Sequence, residues 1–116
     1  MSKRVLWLLA ALALCASCQK VGMFRDAMAL RGQIATQFHE ARVQVNVINK
    51  GTVVVTFINS PLNAAPAAEK QKRADEVAAF VMKNYKRSAP EVRTFFVTQS
   101  EGSVTGLERF TGHAKS

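Results

Sequence analysis

Cysteine is scarce in this sequence: the 116 residues contain two, Cys15 and Cys18, both near the start. The chain after Cys18 contains no cysteine, so it must fold without an internal disulfide bond and depends on its hydrophobic core for stability. A four-cysteine zinc site is excluded because it needs a second cysteine pair. A haem attachment motif would need His at position 19, where Gln19 stands. A Cys15-x-x-Cys18 redox pair is left as an alternative.

Residues suited to catalysis are also few. The chain has two histidines, His39 and His113, and 8 acidic residues against 16 Lys and Arg. His39-Glu40 begins like a zinc-protease helix motif, but Val43 occupies the place of the second histidine. There is no Gly-x-Ser-x-Gly sequence, and the acidic residues are expected on polar faces, turns and strand surfaces. We therefore predict that the protein is not an enzyme and has no cofactor and no metal site.

The long apolar run of the chain lies in its leader. Lys3 and Arg4 precede a run from position 5 to 17, which is 13 residues long, whereas about 20 are needed to span a bilayer. The small residues Ala16 and Ser17 stand just before Cys18. This layout is typical of a secretory signal peptide rather than a permanent transmembrane helix.

The end of this leader, Cys15-Ala16-Ser17-Cys18, resembles the lipobox of bacterial lipoprotein signal peptides. In that family the chain is cleaved before the last cysteine, which is diacylated and becomes the first residue. The resemblance implies lipidation of Cys18 and, because Gln19 rather than Asp follows, an outer-membrane location facing the periplasm. Cys15 stands where the family has an aliphatic residue. Cleavage after Ala13, which would release a soluble protein, is the alternative.

These features divide the chain into a signal peptide (1–17), a lipidated tether (18–22), a single domain (23–112) and a tail (113–116). Removal of the leader leaves 99 residues with 14 basic and 8 acidic side chains, a net charge of +6. Such a balance suits anionic surfaces, including phospholipid head groups and lipopolysaccharide phosphates, although it also serves solubility. Two basic groups are the candidate contacts: Lys70, Lys72 and Arg73, and Lys83, Lys86 and Arg87.

Two segments have the three- and four-residue apolar spacing of amphipathic helices. The first is predicted over residues 23–41 and the second over 66–87, with Pro66 in its first turn. Lys83, Lys86 and Arg87 near the end of the second helix favour the negative end of its dipole. The residues predicted to face the core are Ala27, Leu30, Ile34, Phe38 and Ala41 in the first helix and Ala74, Val77, Val81 and Tyr85 in the second.

The period changes to two after position 43, and β-branched residues stand on both sides of Asn49-Lys50-Gly51. This pattern predicts a β-hairpin with a three-residue loop. In that register Val43 faces Phe57, which puts the apolar residues at odd positions of both strands on one side of the sheet.

A second hairpin is predicted from strands at 92–99 and 103–111, joined by Ser100-Glu101-Gly102. The order is therefore α-β-β-α-β-β, an α+β fold in which two helices pack on one face of a four-stranded, mainly antiparallel sheet.

The face of the sheet away from the helices is predicted to be more apolar than a plain solvent face. It is predicted to carry Ile48, Val54, Ile58, Val92 and Phe96 among Gln44, Asn46 and Thr56. This face either binds a protein partner or is a sheet surface with ordinary exposed valines.

Nucleic-acid binding is not predicted, because Arg93-Thr94-Phe95-Phe96 and Arg109-Phe110 are better explained as core and edge residues of a hairpin in an exported protein. The leading hypothesis is a small membrane-anchored lipoprotein with a non-catalytic binding or assembly role in the cell envelope. The alternative is a soluble periplasmic or secreted binder of an anionic ligand that uses the two basic groups.

Overall fold

The computed structural model describes residues 22–48 and 51–113, so the predicted signal peptide, Cys18 and most of the tether and tail lie outside the described residues. The first helix, α1, covers residues 22–38. The other elements, in chain order, are β1 (Val43–Ile48), β2 (Thr52–Ile58), a 3₁₀ turn (Pro61–Ala64), α2 (Ala67–Asn84), β3 (Val92–Ser100) and β4 (Ser103–Gly112). The predicted α+β order is confirmed.

The four strands form one mixed sheet in the order β1-β2-β3-β4. The two outer pairs are antiparallel hairpins, whereas the central pair, β2 and β3, is parallel. A parallel pair needs a long crossover between its strands, and α2 supplies it. The sheet is thus antiparallel in two of its three pairings, and the two hairpin turns lie at opposite ends of it.

The first hairpin has the predicted register. Val43 pairs with Phe57, Val45 with Val55 and Ile48 with Thr52. Gly51, the described member of the loop, has a φ of 108°. A residue with a side chain rarely adopts that angle, so glycine is needed here. The side chains of Val53, Val55 and Phe57 are fully buried under the helices.

Helix α1 is shorter than predicted, because it stops at position 38 instead of 41. His39 takes a left-handed φ of 53°, and the Glu40 N–H donates to the Ala35 carbonyl at 3.0 Å. This is the hydrogen bond of a Schellman C-cap, in which the residue after the helix turns the chain away from the helical path. Ala41, predicted on the core face, is therefore exposed in the connection to β1.

Helix α2 is also shorter than predicted. It begins after Pro66, which is the N-cap rather than the first helical residue, and ends at Asn84 with Tyr85 as its C-cap. Its predicted core face is confirmed: Ala74, Val77 and Val81 are completely buried.

The core lies between the two helices and the sheet. Aromatic rings form a chain through it, from Phe38 at the end of α1 through Phe57 and Phe96 to Phe110, with centroid separations of 6.4, 5.6 and 5.8 Å. Such stacked and edge-to-face pairs add stability beyond the apolar area that they bury.

The prediction for the faces of β3 was wrong. Val92 and Phe96 were expected on the side away from the helices, but both are 2% exposed and lie in the core. The parallel pairing places them beside Val53 and Phe57, which face the helices. The open face of β3 instead carries Arg93, Phe95, Val97 and Gln99 at the alternate positions.

The second hairpin turns more tightly than predicted. Ser100 pairs directly with Ser103, so the loop consists of Glu101 and Gly102, at φ values of 51° and 80°. Two consecutive left-handed residues are typical of a type I′ turn, whose twist matches that of the flanking strands. The register shifts between Thr98 and Gln99, which marks a β-bulge in this hairpin.

Candidate functional site

The predicted lipidation residue, Cys18, stands four positions before the first described residue of α1. Four extended residues span at most about 14 Å. An anchor at Cys18 would therefore hold the start of α1 close to the membrane surface. In the described residues, no helix has the length and apolar composition needed to cross a membrane.

Three parts of the fold meet where the tether joins the domain: the start of α1, the segment after α2 and the β1–β2 turn. Arg87 beyond α2 donates to Asp26 in α1 at 2.9 Å. A side chain at Gly51 in the turn would lie 3.1 Å from the Ser88 carbonyl. We call this region the tether end of the domain.

The second predicted basic group, Lys83, Lys86 and Arg87, lies at this tether end. All three residues are exposed. Lys86 lines a small surface groove with Asp26 of α1. Arg87 forms an ion pair with Asp26, and within residues 22–48 and 51–113 neither Lys83 nor Lys86 has a carboxylate partner.

The first predicted basic group is divided by the fold. Lys70 is 4% exposed and forms an ion pair with Glu108 of β4. Arg73 turns toward the end of α1, where it donates to Glu40 at 3.2 Å. Only Lys72 of the three points its side chain to solvent. Lys70 and Arg73 thus tie α2 to other elements.

Glu40, expected on a polar surface, is instead 7% exposed. Its Oε2 accepts hydrogen bonds from Ser60 Oγ at 2.6 Å and from Arg73 Nη1 at 3.2 Å. Ser60 Oγ in turn accepts from the Leu62 N–H at 3.1 Å, which caps the 3₁₀ turn. This polar cluster joins the end of α1, the exit of β2 and the first half of α2.

Arg73 also has aromatic neighbours. Its guanidinium lies 5.0 Å from the centroid of the Phe38 ring and 5.5 Å from that of Phe57. Such distances give a cation–π attraction, which compensates part of the cost of removing the charge from water. The cluster is therefore built to hold three elements together, and its serine hydroxyl is buried.

The histidine and acidic side chains do not cluster in the described part of the chain. Across residues 22–48 and 51–113, His, Cys, Asp and Glu form no group of three that could hold a metal ion. His39 is exposed at the end of α1. The backbone N–H of His113 donates to Asp75 Oδ1 at 2.9 Å. This hydrogen bond lowers the pKa of the Asp75 carboxyl below its usual value.

The open face of the sheet, turned away from the helices, contains a band of apolar side chains. Phe95 and Val97 stand in its centre, and Val97 pairs with Leu107 of the edge strand β4. Leu107 is 61% exposed. Arg109 pairs with Phe95 on the same face. Val97 is only 9% exposed, so the accessible apolar surface of this face comes from Leu107, Ile48 and the half-buried Phe95 rather than from Val92 and Phe96.

A second apolar surface was missed in the sequence. Phe24 is 68% exposed, and Met23 and Met28 are also exposed in the first turns of α1. They line a groove with Val45 and Val47 of β1. The signal was present in the helical pattern, because positions 24 and 28 point away from the predicted core face and yet are large and apolar.

No family model, curated protein or solved structure was found to match this chain.

Proposed function

We propose that this protein is a small bacterial lipoprotein, anchored through diacylated Cys18 in the outer membrane and facing the periplasm, with a non-catalytic binding or assembly role in the cell envelope. The leader is the observation that carries the proposal: a positive start, a 13-residue apolar run and small residues before Cys18. The position of Cys18, four residues before α1, supports it because a short tether then links the lipid to a folded domain.

The environment of the acidic residues supports a binding rather than a catalytic role. Asp26 and Glu108 each form an ion pair with a basic side chain, and Glu40 is held by Ser60 and Arg73. The Arg93 guanidinium binds both carboxylate oxygens of Glu91 and lowers the pKa of that carboxyl. A lowered pKa makes Glu91 a poor general base, since a base needs a pKa near the working pH. The other three carboxylates are engaged in contacts between elements of the fold.

The anchoring is tested by metabolic labelling with an alkyne fatty acid. The wild-type protein is expected to take up the label, and Cys18→Ala is expected to lose it. Cys15→Ala is the matched control and should keep the label, because the acyl chains are attached to Cys18 alone. A wild-type protein without label, or a label that survives Cys18→Ala, would contradict the lipoprotein assignment. An unlabelled protein released with the soluble periplasmic fraction would favour the alternative, a soluble binder of an anionic ligand.

For the binding role we propose that the open sheet face takes a protein partner that presents apolar and acidic side chains. The apolar part would cover Leu107 and Phe95, and an acidic residue would pair with Arg109. In the described segments Arg109 has no ion pair. The positive net charge of the domain favours an acidic partner as well.

A photo-crosslinking residue at position 107, introduced into the anchored protein in cells, tests this surface. A protein adduct is expected at position 107 and not at Lys72, an exposed control site on α2. The adduct should decrease strongly in an Arg109→Glu background, because the charge that attracts the partner is reversed. An adduct of equal yield at both sites, or one that is insensitive to Arg109→Glu, would contradict a specific partner on this face.

A further inference from the structure

The tether end carries exposed apolar and basic side chains together. Met23, Phe24 and Met28 project from the first two turns of α1 on the side of β1. Lys86 and Arg87 lie on the opposite side of the same helix end, where Arg87 pairs with Asp26. Apolar side chains on one side of a helix and basic side chains on the other are typical of helices that lie in a membrane interface.

From this arrangement we propose that the tether end is a second membrane contact: Met23, Phe24 and Met28 enter the head-group region of the bilayer, and Lys83 and Lys86 bind anionic phospholipid head groups. The inference rests on the proposed lipid anchor, because the anchor determines which end of the domain meets the membrane.

The length of the tether supports the membrane as the surface that the tether end contacts. Because α1 begins four residues after Cys18, its first residue lies within about 14 Å of an acylated cysteine. The polar region of one leaflet is on the order of 6 Å deep. Phe24, two positions into the helix, is therefore within reach of the interface without any rearrangement of the domain.

The charges of the domain support the same orientation. Lys83 and Lys86 are exposed, and Lys20 lies in the tether sequence itself. Two exposed acidic residues, Glu69 in the first turn of α2 and Glu101 in the β3–β4 turn, stand at the opposite end of the fold. Lys72 and Arg42 accompany these acidic residues, whereas Lys83 and Lys86 have no acidic side chain paired with them in the described residues. An anionic surface would therefore be attracted to the exposed lysines of the tether end.

A single acyl chain gives only marginal membrane binding, and an added basic or apolar contact strengthens it. In a diacylated protein, which is already firmly anchored, the second contact would instead fix the orientation of the domain relative to the bilayer. With the tether end against the bilayer, α1 meets the membrane at its first turns, and the β3–β4 turn points into the periplasm. The open sheet face then stands clear of the lipid and is accessible to a partner.

Tryptophan fluorescence can measure the contact in the acylated protein. The only tryptophan of the chain, Trp7, lies in the predicted leader, so the mature protein offers no background. Phe24→Trp, purified as the lipoprotein and reconstituted in vesicles of phosphatidylethanolamine and phosphatidylglycerol, is expected to be quenched by phospholipids brominated on their acyl chains. Leu107→Trp, at an exposed site of the open sheet face, is the control and should not be quenched. Equal quenching at both sites, or none at position 24, would overturn the proposal while leaving the anchor intact.

Vesicle flotation of the chain from Gln19 onward tests the contact without the lipid. This chain contains every described helix and strand and the whole buried core, so it is expected to fold, and circular dichroism verifies that it does. It should float with phosphatidylglycerol vesicles and not with vesicles of phosphatidylcholine alone.

Lys83→Gln with Lys86→Gln should weaken the binding about 25-fold, because each lysine near an anionic surface contributes about fivefold. Phe24→Ser should weaken it about tenfold, since it removes a large apolar group from the interface. Lys72→Gln, with its charge removed elsewhere on α2, is the control and should bind like the parent chain.

Vesicle binding that is unchanged by Lys83→Gln with Lys86→Gln and by Phe24→Ser would overturn the membrane contact, even if Cys18 takes up the fatty acid. Conversely, a Cys18 that takes up no fatty acid would refute the anchor, while lysine- and Phe24-dependent flotation would still support the contact.

Discussion

Thr94 is the most deeply buried hydroxyl group of the described core. Its side chain is 0% exposed between Val92 and Phe96 on the helix-facing side of β3. Its Oγ1 has no hydrogen-bond partner in the described residues. A buried hydroxyl without a partner loses its hydrogen bonds to water on folding and gains none in return.

Thr94→Val is therefore expected to stabilise the protein, because valine has the same shape and no hydroxyl group. The free energy of unfolding should rise by about 1 kcal/mol, measured by urea denaturation of the chain from Gln19 onward. Thr94→Ser is the matched control. It keeps the hydroxyl and removes a buried methyl, so it should lower the stability by about 1 kcal/mol. A destabilised valine variant would show that the hydroxyl does have a partner.

The burial of Tyr85 makes the stability of the protein depend on pH in the alkaline range. It is buried at the C-cap of α2, and burial raises the pKa of its phenol above the usual value of 10.0, because the charged phenolate is poorly solvated there. A group whose pKa is higher in the folded than in the unfolded state contributes constant stability below the unfolded pKa. We expect that contribution to be lost as the pH rises from 10 through the folded pKa.

The measurement is unambiguous because Tyr85 is the only tyrosine of the chain. The near-ultraviolet absorbance of tyrosinate should titrate above pH 10 in the folded protein and near pH 10 in urea. Tyr85→Phe should remove this alkaline loss of stability. Identical titration midpoints in the folded and urea-unfolded protein would contradict the expectation.

At the scale of the elements, the cluster of Glu40, Ser60 and Arg73 joins both helices to the end of β2. The side chain of Glu40 is 4% exposed and that of Arg73 is 18% exposed. A buried ion pair is worth little compared with an apolar substitute, but removal of one partner leaves an uncompensated charge.

Arg73→Met is expected to lower the free energy of unfolding by about 3 kcal/mol, because Glu40 then keeps only its bond to Ser60. Glu40→Gln in the Arg73→Met background should recover part of this loss. The comparison is Arg87→Met, which breaks the more exposed pair with Asp26 and should cost less than about 1 kcal/mol. If urea denaturation gave the same decrease in the free energy of unfolding for both arginine variants, the cluster would contribute no more to stability than the exposed ion pair.

The elements differ in how well the sequence predicts them. In β1 and β2 the apolar residues alternate regularly, so both the register and the buried face follow from the pattern. In β3 the pattern fails, because Thr94 is buried while Phe95 and Val97 stand on the open face. The early end of α1 was also hidden, since His39 rather than glycine takes the left-handed position.

The strand order and the burial of Glu40 depend on distant parts of the chain. Neither local propensity nor periodicity states that β2 and β3 are neighbours. The pairing results from how α2 crosses the sheet. Likewise, Glu40 has a typical surface pattern in the sequence, and it is buried only because Ser60 and Arg73 meet it from other elements. The candidate surface at the start of α1 could have been found from Phe24 and Met28. That Lys86 lies at the same end of the domain could not, because it depends on how α2 packs against α1.

At the scale of the whole molecule, the two ends of the domain differ in chemistry. The tether end presents Met23 and Phe24 with two lysines that lack carboxylate partners in the described residues. The opposite end presents the tight β3–β4 turn with Glu101. Because the open sheet face runs between these ends, one molecule can contact the bilayer and a partner at the same time.

The parallel pair in the centre of the sheet also has a consequence for the order of folding. Val47 and Val53 pair across six positions of chain, whereas Val53 and Val92 pair across 39. Closing the longer loop costs about 1.7 kcal/mol more in chain entropy. Each hairpin can therefore form early by itself. The parallel pairing of β2 with β3 forms last, when α2 packs onto the sheet. Pulsed hydrogen exchange during refolding should protect the β1–β2 amides before those that bridge β2 and β3. Simultaneous protection would show that the two halves of the chain fold as one unit.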